Sequence, residues 1–171
     1  MNLEDYIRIV PDFPKKGVNF YDIATLLGHP AAWREAIAQM HDRVESYQPD
    51  MVMGIESRGF LIAGPLAMAL GCGFGMVRKA GKLPGEVLSY EYDLEYGSDV
   101  IEIQPDLVAA GTKVLLVDDL LATGGTMAAA ESLLAEAQVI VVANAVLVEL
   151  EGLGGRDKLT APFEALLELP A

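Results

Sequence analysis

The sequence predicts an α/β fold, and two strand–turn–helix segments of one design carry that prediction. MVMGIESRGFLIAGPLAMALG (Met51 to Gly71) and VLLVDDLLATGGTMAAAESLLAEA (Val114 to Ala137) each begin as a short apolar strand, pass through a polar turn and continue as an apolar helix. The third observation is size. A chain of 171 residues, 52% hydrophobic and 22% charged, suits one domain, residues 1–171, with a sizeable core. Ligands of open α/β folds gather at the carboxyl ends of buried strands, so the turns after Ile55 and Val117 are the first places to look for a site.

Composition narrows the function. The formal net charge is -13, from 25 acidic against 12 basic residues, which opposes nonspecific nucleic-acid binding; no nucleic-acid partner is expected. Small anionic ligands stay compatible with it, because a local cluster can oppose the global sign. The single cysteine, Cys72, cannot form an internal disulfide and fits a reduced, cytoplasmic protein. No segment reaches membrane-spanning length, so no membrane partner is expected. The apolar content is high enough to expect a surface buried against a second copy, a homodimer. His29 and His41 have no ligand-spaced neighbours and make no case for zinc.

Along the chain, Leu3, Tyr6, Ile7, Ile9 and Val10 give a weak helical pattern that Pro11 stops. Pro11 to Leu27 reads as an ordered loop pinned by Val18, Phe20, Ile23 and Leu26. Phe20 is either a core anchor or an aromatic wall for a planar ligand, and the two readings stand even. Pro30 to Ser46 is a helix packed through Ala32, Trp33, Ala36, Ile37, Met40 and Val44.

Met51 to Ile55 is a strand, Glu56 to Gly59 its turn, and Phe60 to Leu70 a helix with Pro65 as an irregularity. The planar fork of Arg58 suits an anion clamp assisted by helix-start amides; a surface salt bridge is the bland alternative. Gly73 to Val77 reads as a strand and Arg78 to Glu86 as a loop. Arg78, Lys79 and Lys82 are the densest basic cluster, either solvated surface or an anion-binding lid. Leu88 to Glu91 and Val100 to Ile103 alternate as a hairpin around a turn at Glu95 to Ser98, punctuated by Tyr90, Tyr92 and Tyr96. It is a hood over a substrate or an ordinary hairpin made soluble by its acids. Phe163 to Leu169 is an edge strand.

The second strand–turn–helix carries the most chemistry. Asp118 and Asp119 end its strand, where carboxylates could hold sugar hydroxyls or organise hydrated magnesium. Gly124 and Gly125 allow close backbone approach, Thr123 and Thr126 offer hydroxyls, and the helix starting near Met127 suits a phosphate. Neither a Walker A loop nor a dinucleotide fingerprint is present.

VLLVDDLLATGGT resembles the phosphoribosyl pyrophosphate (PRPP) signature of the type I phosphoribosyltransferases, and the wider chain is similar to members that act on adenine. FPKKGVNFYDIATLL, GIESRGFLIAGPLA, RKAGKLPGE, YDLEYGSDVIEIQ and VELEGLGGRDKL extend the likeness over nearly the whole chain, in the family's order. The resemblance implies a central, mostly parallel sheet flanked by helices, with a base-binding hood at residues 1–28 and a flexible catalytic loop and hairpin at 78–104. It implies magnesium-dependent transfer of the 5-phosphoribosyl group of PRPP to N9 of adenine, giving AMP and pyrophosphate. Asp118 and Asp119 would take the ribose hydroxyls and, through water, the metal; Ala122, Thr123, Gly124, Gly125 and Thr126 would cradle the 5′-phosphate. Glu56, Ser57 and Arg58, with a cis bond between the first two, would form the pyrophosphate turn, served by Arg78, Lys79 and Lys82. Phe20 and Leu120 would sandwich the base while backbone near Val18 and Tyr21 reads its edge, with Glu95 as acid/base and Tyr96 beside it. Lys15-Lys16 stands where many members carry a proline-containing pair, and Tyr21 where a basic residue is common. The open alternatives are a 6-oxopurine enzyme and a noncatalytic PRPP-binding regulator.

Overall fold

The computed structural model describes residues 1–94 and 96–171. Its elements are β1 (Arg8–Val10), β2 (Phe20–Asp22), α1 (Ala24–Leu27), α2 (Pro30–Val44), β3 (Met51–Ile55), α3 (Gly59–Leu70) and β4 (Gly73–Lys79). They continue as β5 (Leu88–Asp93), β6 (Ser98–Ile103), β7 (Lys113–Leu121), α4 (Gly125–Glu136), β8 (Ile140–Glu151) and β9 (Phe163–Pro170). Seven strands form one sheet in the order β5-β6-β4-β3-β7-β8-β9, parallel from β4 to β9 and antiparallel only where β6 joins β4 and β5. The expected mostly parallel sheet flanked by helices is therefore observed.

Both faces of the central strands are buried, which is why they read as continuous apolar runs. Along β7, Leu115 and Val117 enter a core shared with α2 and α3, while Val114 and Leu116 enter a second core with α4 and the hairpin. Helix α2 starts where Pro30 occupies the first turn and the His29 ring accepts the Ala32 amide at 3.2 Å. Helix α3 runs through Pro65 without a break, and Gly71 ends it in the left-handed region at φ 68°. No described helix is long and apolar enough to cross a membrane.

Three expectations are corrected. Leu3 to Val10 is not one helix: a 3-10 turn at Leu3–Tyr6 gives way to β1, which pairs antiparallel with β2. Non-local bonds outweigh the weak local pattern, since Arg8 pairs with Asp22 and the Thr25 hydroxyl donates to the Tyr6 carbonyl at 2.6 Å. Arg78 and Lys79 are not loop residues but the end of β4, in register with Glu102 and Ile101 of β6. Strand β8, with twelve residues, occupies a segment where no element was expected.

The buried Glu131 of α4 ties that helix to the sheet. Its carboxylate accepts the Asn144 side-chain amide at 2.6 Å, the Thr160 amide and hydroxyl at 2.9 and 3.0 Å, and the Ala161 amide at 3.0 Å. Removing one acceptor shared by four donors leaves buried groups unsatisfied. Glu131→Ala should lower the unfolding free energy by about 3 kcal/mol in urea titrations, with an unchanged m value.

Candidate functional site

The carboxyl ends of β3 and β7 and the helices that follow them meet at one cleft. Two adjoining hollows of about 150 and 250 Å³ share Asp118, Leu120 and Thr126. The first is lined by the turn from Leu121 to Met127, the second by Ile55 to Arg58, Lys79 and Asp119.

The first hollow is backbone-built. Gly124 holds φ 79° just before α4, so the helix-start amides behind it face the hollow. This turn is backed by a second glycine loop. A Cβ on Gly124 would lie 2.4 Å from the Gly155 carbonyl oxygen, and a Cβ on Gly155 would lie 2.4 Å from that of Ala122. The backing loop is itself fastened, since Arg156 pairs with Glu149 and Glu168 and stands 5.2 Å from the Phe163 ring.

The second hollow is built from paired charges. Glu56 and Ser57 are joined by a cis peptide bond. Arg58 Nε lies 2.9 Å from Asp119 Oδ2, and its guanidinium carbon lies 5.1 Å from the Phe20 ring centre. Asp119 Oδ2 is buried and accepts no well-aligned hydrogen bond among the described residues, so this contact is an ion pair with hydrogen-bonding capacity to spare. Arg78 and Lys82 converge on Glu56 at 2.8 and 2.6 Å. Lys79 turns elsewhere, to Asp99 and, at 3.1 Å, to the Tyr92 hydroxyl. The basic cluster thus has two destinations rather than one.

Asp118 packs against the start of α3, where a Cβ on Gly59 would come within 2.8 Å of its Oδ1. Burial, and then the neighbouring Asp119 charge, pushes its carboxyl well above the ordinary aspartate range. Glu56 behaves oppositely. Burial alone would raise it, but hydrogen bonds from Lys82, Arg78 and the Lys79 backbone outweigh burial and hold it below the ordinary glutamate range.

Most of the residues singled out from sequence reach this cleft: Glu56, Ser57, Arg58, Lys79, Asp118, Asp119, Leu120 and Ala122 to Thr126 line it. Phe20 adjoins it through Arg58 and meets Phe13 edge-on at 5.1 Å. The Tyr21 side chain does not reach it; buried at 4% exposure, it donates to the Pro170 carbonyl at 2.5 Å. Only its backbone is left for a ligand. The Val18 amide is engaged by the Lys15 carbonyl at 3.2 Å. Tyr96 is 88% exposed, and Glu95 lies outside the described residues. Sequence reasoning missed Tyr92 and Gly155. Inward alternation along β5 was the available sign for the first, and the paired glycines of GLGG for the second.

Residues 22–163 match the model of the phosphoribosyl transferase domain family. An adenine phosphoribosyltransferase of Rhodospirillum centenum is 55% identical over 98% of each chain, and one of Acidiphilium cryptum is 57% identical over 98% of each. The crystal structure of an adenine phosphoribosyltransferase from Thermoanaerobacter pseudethanolicus is similar at TM-score 0.94, with 46% identity over 97% of both chains. That of the Saccharomyces cerevisiae adenine phosphoribosyltransferase, complexed with an imino-altritol bisphosphate and adenine, gives TM-score 0.92 and 40% identity over 96% of both.

Two consequences of this geometry are measurable. Gly155→Ala should cost about 1–3 kcal/mol of stability by overpacking, and should weaken organic-phosphate binding by displacing the Ala122 to Gly124 turn. For Glu56 the folded-state pKa is depressed, so its contribution is present above the free value of 4.5 and lost as pH falls through the folded value. Glu56→Gln should therefore lower Tm at about pH 7, and the difference should shrink as pH is lowered below 4.5 in matched thermal melts.

Proposed function

The chain belongs to the phosphoribosyltransferase family, and from that premise we propose that it is an adenine phosphoribosyltransferase. It joins N9 of adenine to C1′ of PRPP, giving AMP and releasing pyrophosphate, a purine-salvage reaction. The observation that carries this reading is the cleft itself: a helix-start hollow fit for one phosphate adjoins a cation-lined hollow fit for another anion, with two carboxylates between them.

In this reading Ala122 to Thr126 hold the 5′-phosphate by backbone amides and hydroxyls. Asp118 and Asp119 accept hydrogen bonds from the ribose hydroxyls. Arg58 exchanges Asp119 for the pyrophosphate, and Arg78 and Lys82 exchange Glu56 for it, so that leaving charge is met by cations already at hand. Phe20 and Leu120 hold the base, and backbone near Val18 to Tyr21 reads its edge. Glu95 orients the base and accepts its proton, with Tyr96 beside it. C1′ develops oxocarbenium character as the pyrophosphate bond breaks and the N9 bond forms, and the hairpin of β5 and β6 keeps water away.

The oxygen donors suit magnesium. Asp119 Oδ2 is buried with capacity to spare, Asp118 lies beside it, and no described cluster of three or more His, Cys, Asp or Glu forms a cage of its own. Asp118 and Asp119 would hold the ion mainly through water and PRPP oxygens, and it would supply positive charge to the pyrophosphate. Exposed Leu61, Met68 and Phe74 support a homodimer, and the lone thiol of Cys72 supports a cytoplasmic location. The loop and hairpin of residues 78–104 would be the moving part of the single domain, and residues 1–28 its hood.

Initial rates with PRPP and magnesium should show AMP formed from adenine faster than any product from hypoxanthine, guanine or xanthine. A faster 6-oxopurine would reassign the base, and PRPP binding without turnover would make the protein a regulator. Asp118→Asn with Asp119→Asn should weaken PRPP use strongly, by about 100-fold or more in kcat/KM. Glu95→Gln should lower kcat with little change in PRPP binding; a rate within twofold of the parent would remove Glu95 from the mechanism.

A further inference from the structure

One hydrogen-bonded chain reaches Thr126 from three residues that the mechanism above does not use. It runs from Asp99 on β6 to Lys79 on β4, from Lys79 to the Tyr92 hydroxyl on β5 at 3.1 Å, and from Tyr92 to the Thr126 hydroxyl at 3.2 Å. Tyr92 is buried at 9% exposure inside the second core, so packing holds its ring in place when the hairpin lies against the core, as it does here. Thr126 stands in the first turn of α4 and lines both hollows.

The donors and acceptors give this chain a direction. A lysine ammonium has protons and no acceptor, so the Tyr92 oxygen accepts from Lys79. The carboxylate of Asp99 keeps the ammonium in place, and Asp99 is itself anchored by the Val100 amide at 2.8 Å. Either oxygen can donate across the 3.2 Å contact between Tyr92 and Thr126. With Lys79 donating to the Tyr92 oxygen and Thr126 its other hydrogen-bonding partner among the described residues, the arrangement that uses the one Tyr92 proton has it donated to the Thr126 oxygen. In that arrangement one lone pair of the Thr126 hydroxyl is engaged from behind, and its own proton is left to point into the hollow. A hydroxyl that could turn either way becomes a fixed donor, strengthened by the charge at the far end of the chain.

We propose that Tyr92 is a positioning residue for the phosphate site: it locks the Thr126 hydroxyl as a donor toward the phosphate of a phosphorylated ribose. It acts from the hairpin and through Thr126, without touching the ligand. The proposal rests on the reading of the first hollow as the 5′-phosphate site.

The test is a double-mutant cycle on the full chain with Tyr92→Phe, Thr126→Val and both together. Calorimetry would measure ribose 5-phosphate and pyrophosphate binding separately. Tyr92→Phe should weaken ribose 5-phosphate about three- to tenfold, the range of one lost net hydrogen bond, and leave pyrophosphate within twofold. The double variant should bind no more weakly than Thr126→Val alone, because Tyr92 has nothing to position once the hydroxyl is gone. Loss of both ligands together would reveal a general structural role and overturn the proposal, as would loss of pyrophosphate alone, which would place the effect on Lys79. Additive effects in the cycle would overturn it too, whatever the stability of the single variants. Parent protein that binds ribose 5-phosphate while Tyr92→Phe changes nothing would overturn this proposal only. Parent protein that binds neither ribose 5-phosphate nor PRPP would overturn the site reading and the proposal with it.

Discussion

The absence of room for a methyl group at four glycines is the constraint on which the cleft depends. Gly54 lets β3 lie against α3, where a Cβ would come within 2.8 Å of the Ala63 Cβ. Gly59 lets the start of α3 reach Asp118 in the second half of β7, which continues to Leu121 rather than ending at the two aspartates as expected. Gly124 and Gly155 let two loops touch backbone to backbone. The first contact closes one strand–turn–helix unit on itself, and the others shorten the distance between chain segments that are far apart in sequence. Together they bring the helix starts and strand ends close enough for one small ligand to meet both. Side chains of larger volume at these places would hold the same elements apart, and no choice of polar residues could then restore the site.

Close approach also explains the charge arrangement. Asp118, Asp119 and Glu56 are packed where water is scarce, and three carboxylates there would repel one another if left alone. Arg58, Arg78 and Lys82 answer two of them, and Asp118 answers by holding its proton more tightly. The cations are thereby placed before any ligand arrives, at the cost of being already engaged. An incoming anion exchanges partners with a carboxylate rather than calling a lysine out of solvent. Arg58 is the clearest case, held between Asp119 on one side and the Phe20 ring on the other.

The two strand–turn–helix units were legible because their strands are buried on both faces and read as unbroken apolar runs. Strand β3 spans Met51–Ile55 as expected, and the turn residues fall at the cleft. What escaped depends on partners distant in the chain. Asn144 interrupts the apolar run of β8; its side-chain nitrogen donates to Glu131 on α4, while its Oδ1 has no partner among the described residues. Ile9 pairs with Tyr21, twelve positions away, and Tyr21 is drawn from the base site by the Pro170 carbonyl at the opposite end of the chain. Local pattern carries no trace of such bonds. The functions of Tyr92 and Gly155 were hidden for the same reason, because each matters through Thr126 or Ala122 rather than through its own neighbours.

An acidic chain that binds a multiply charged anion needs a mechanism other than its overall field. With a net charge of -13, the overall field can only repel PRPP, and screening at physiological salt removes most of that field beyond about 8 Å. Affinity must therefore come from donors inside that distance. The helix-start amides of α4 are such donors and carry no counter-charge to be displaced. The Thr126 hydroxyl, held from behind by Tyr92, adds a directed proton, and the cations of the second hollow act only after partner exchange. On this account the phosphate end is the part of the cleft ready before binding, and the pyrophosphate end is completed by it. The ordering follows from which donors are free and which are already paired.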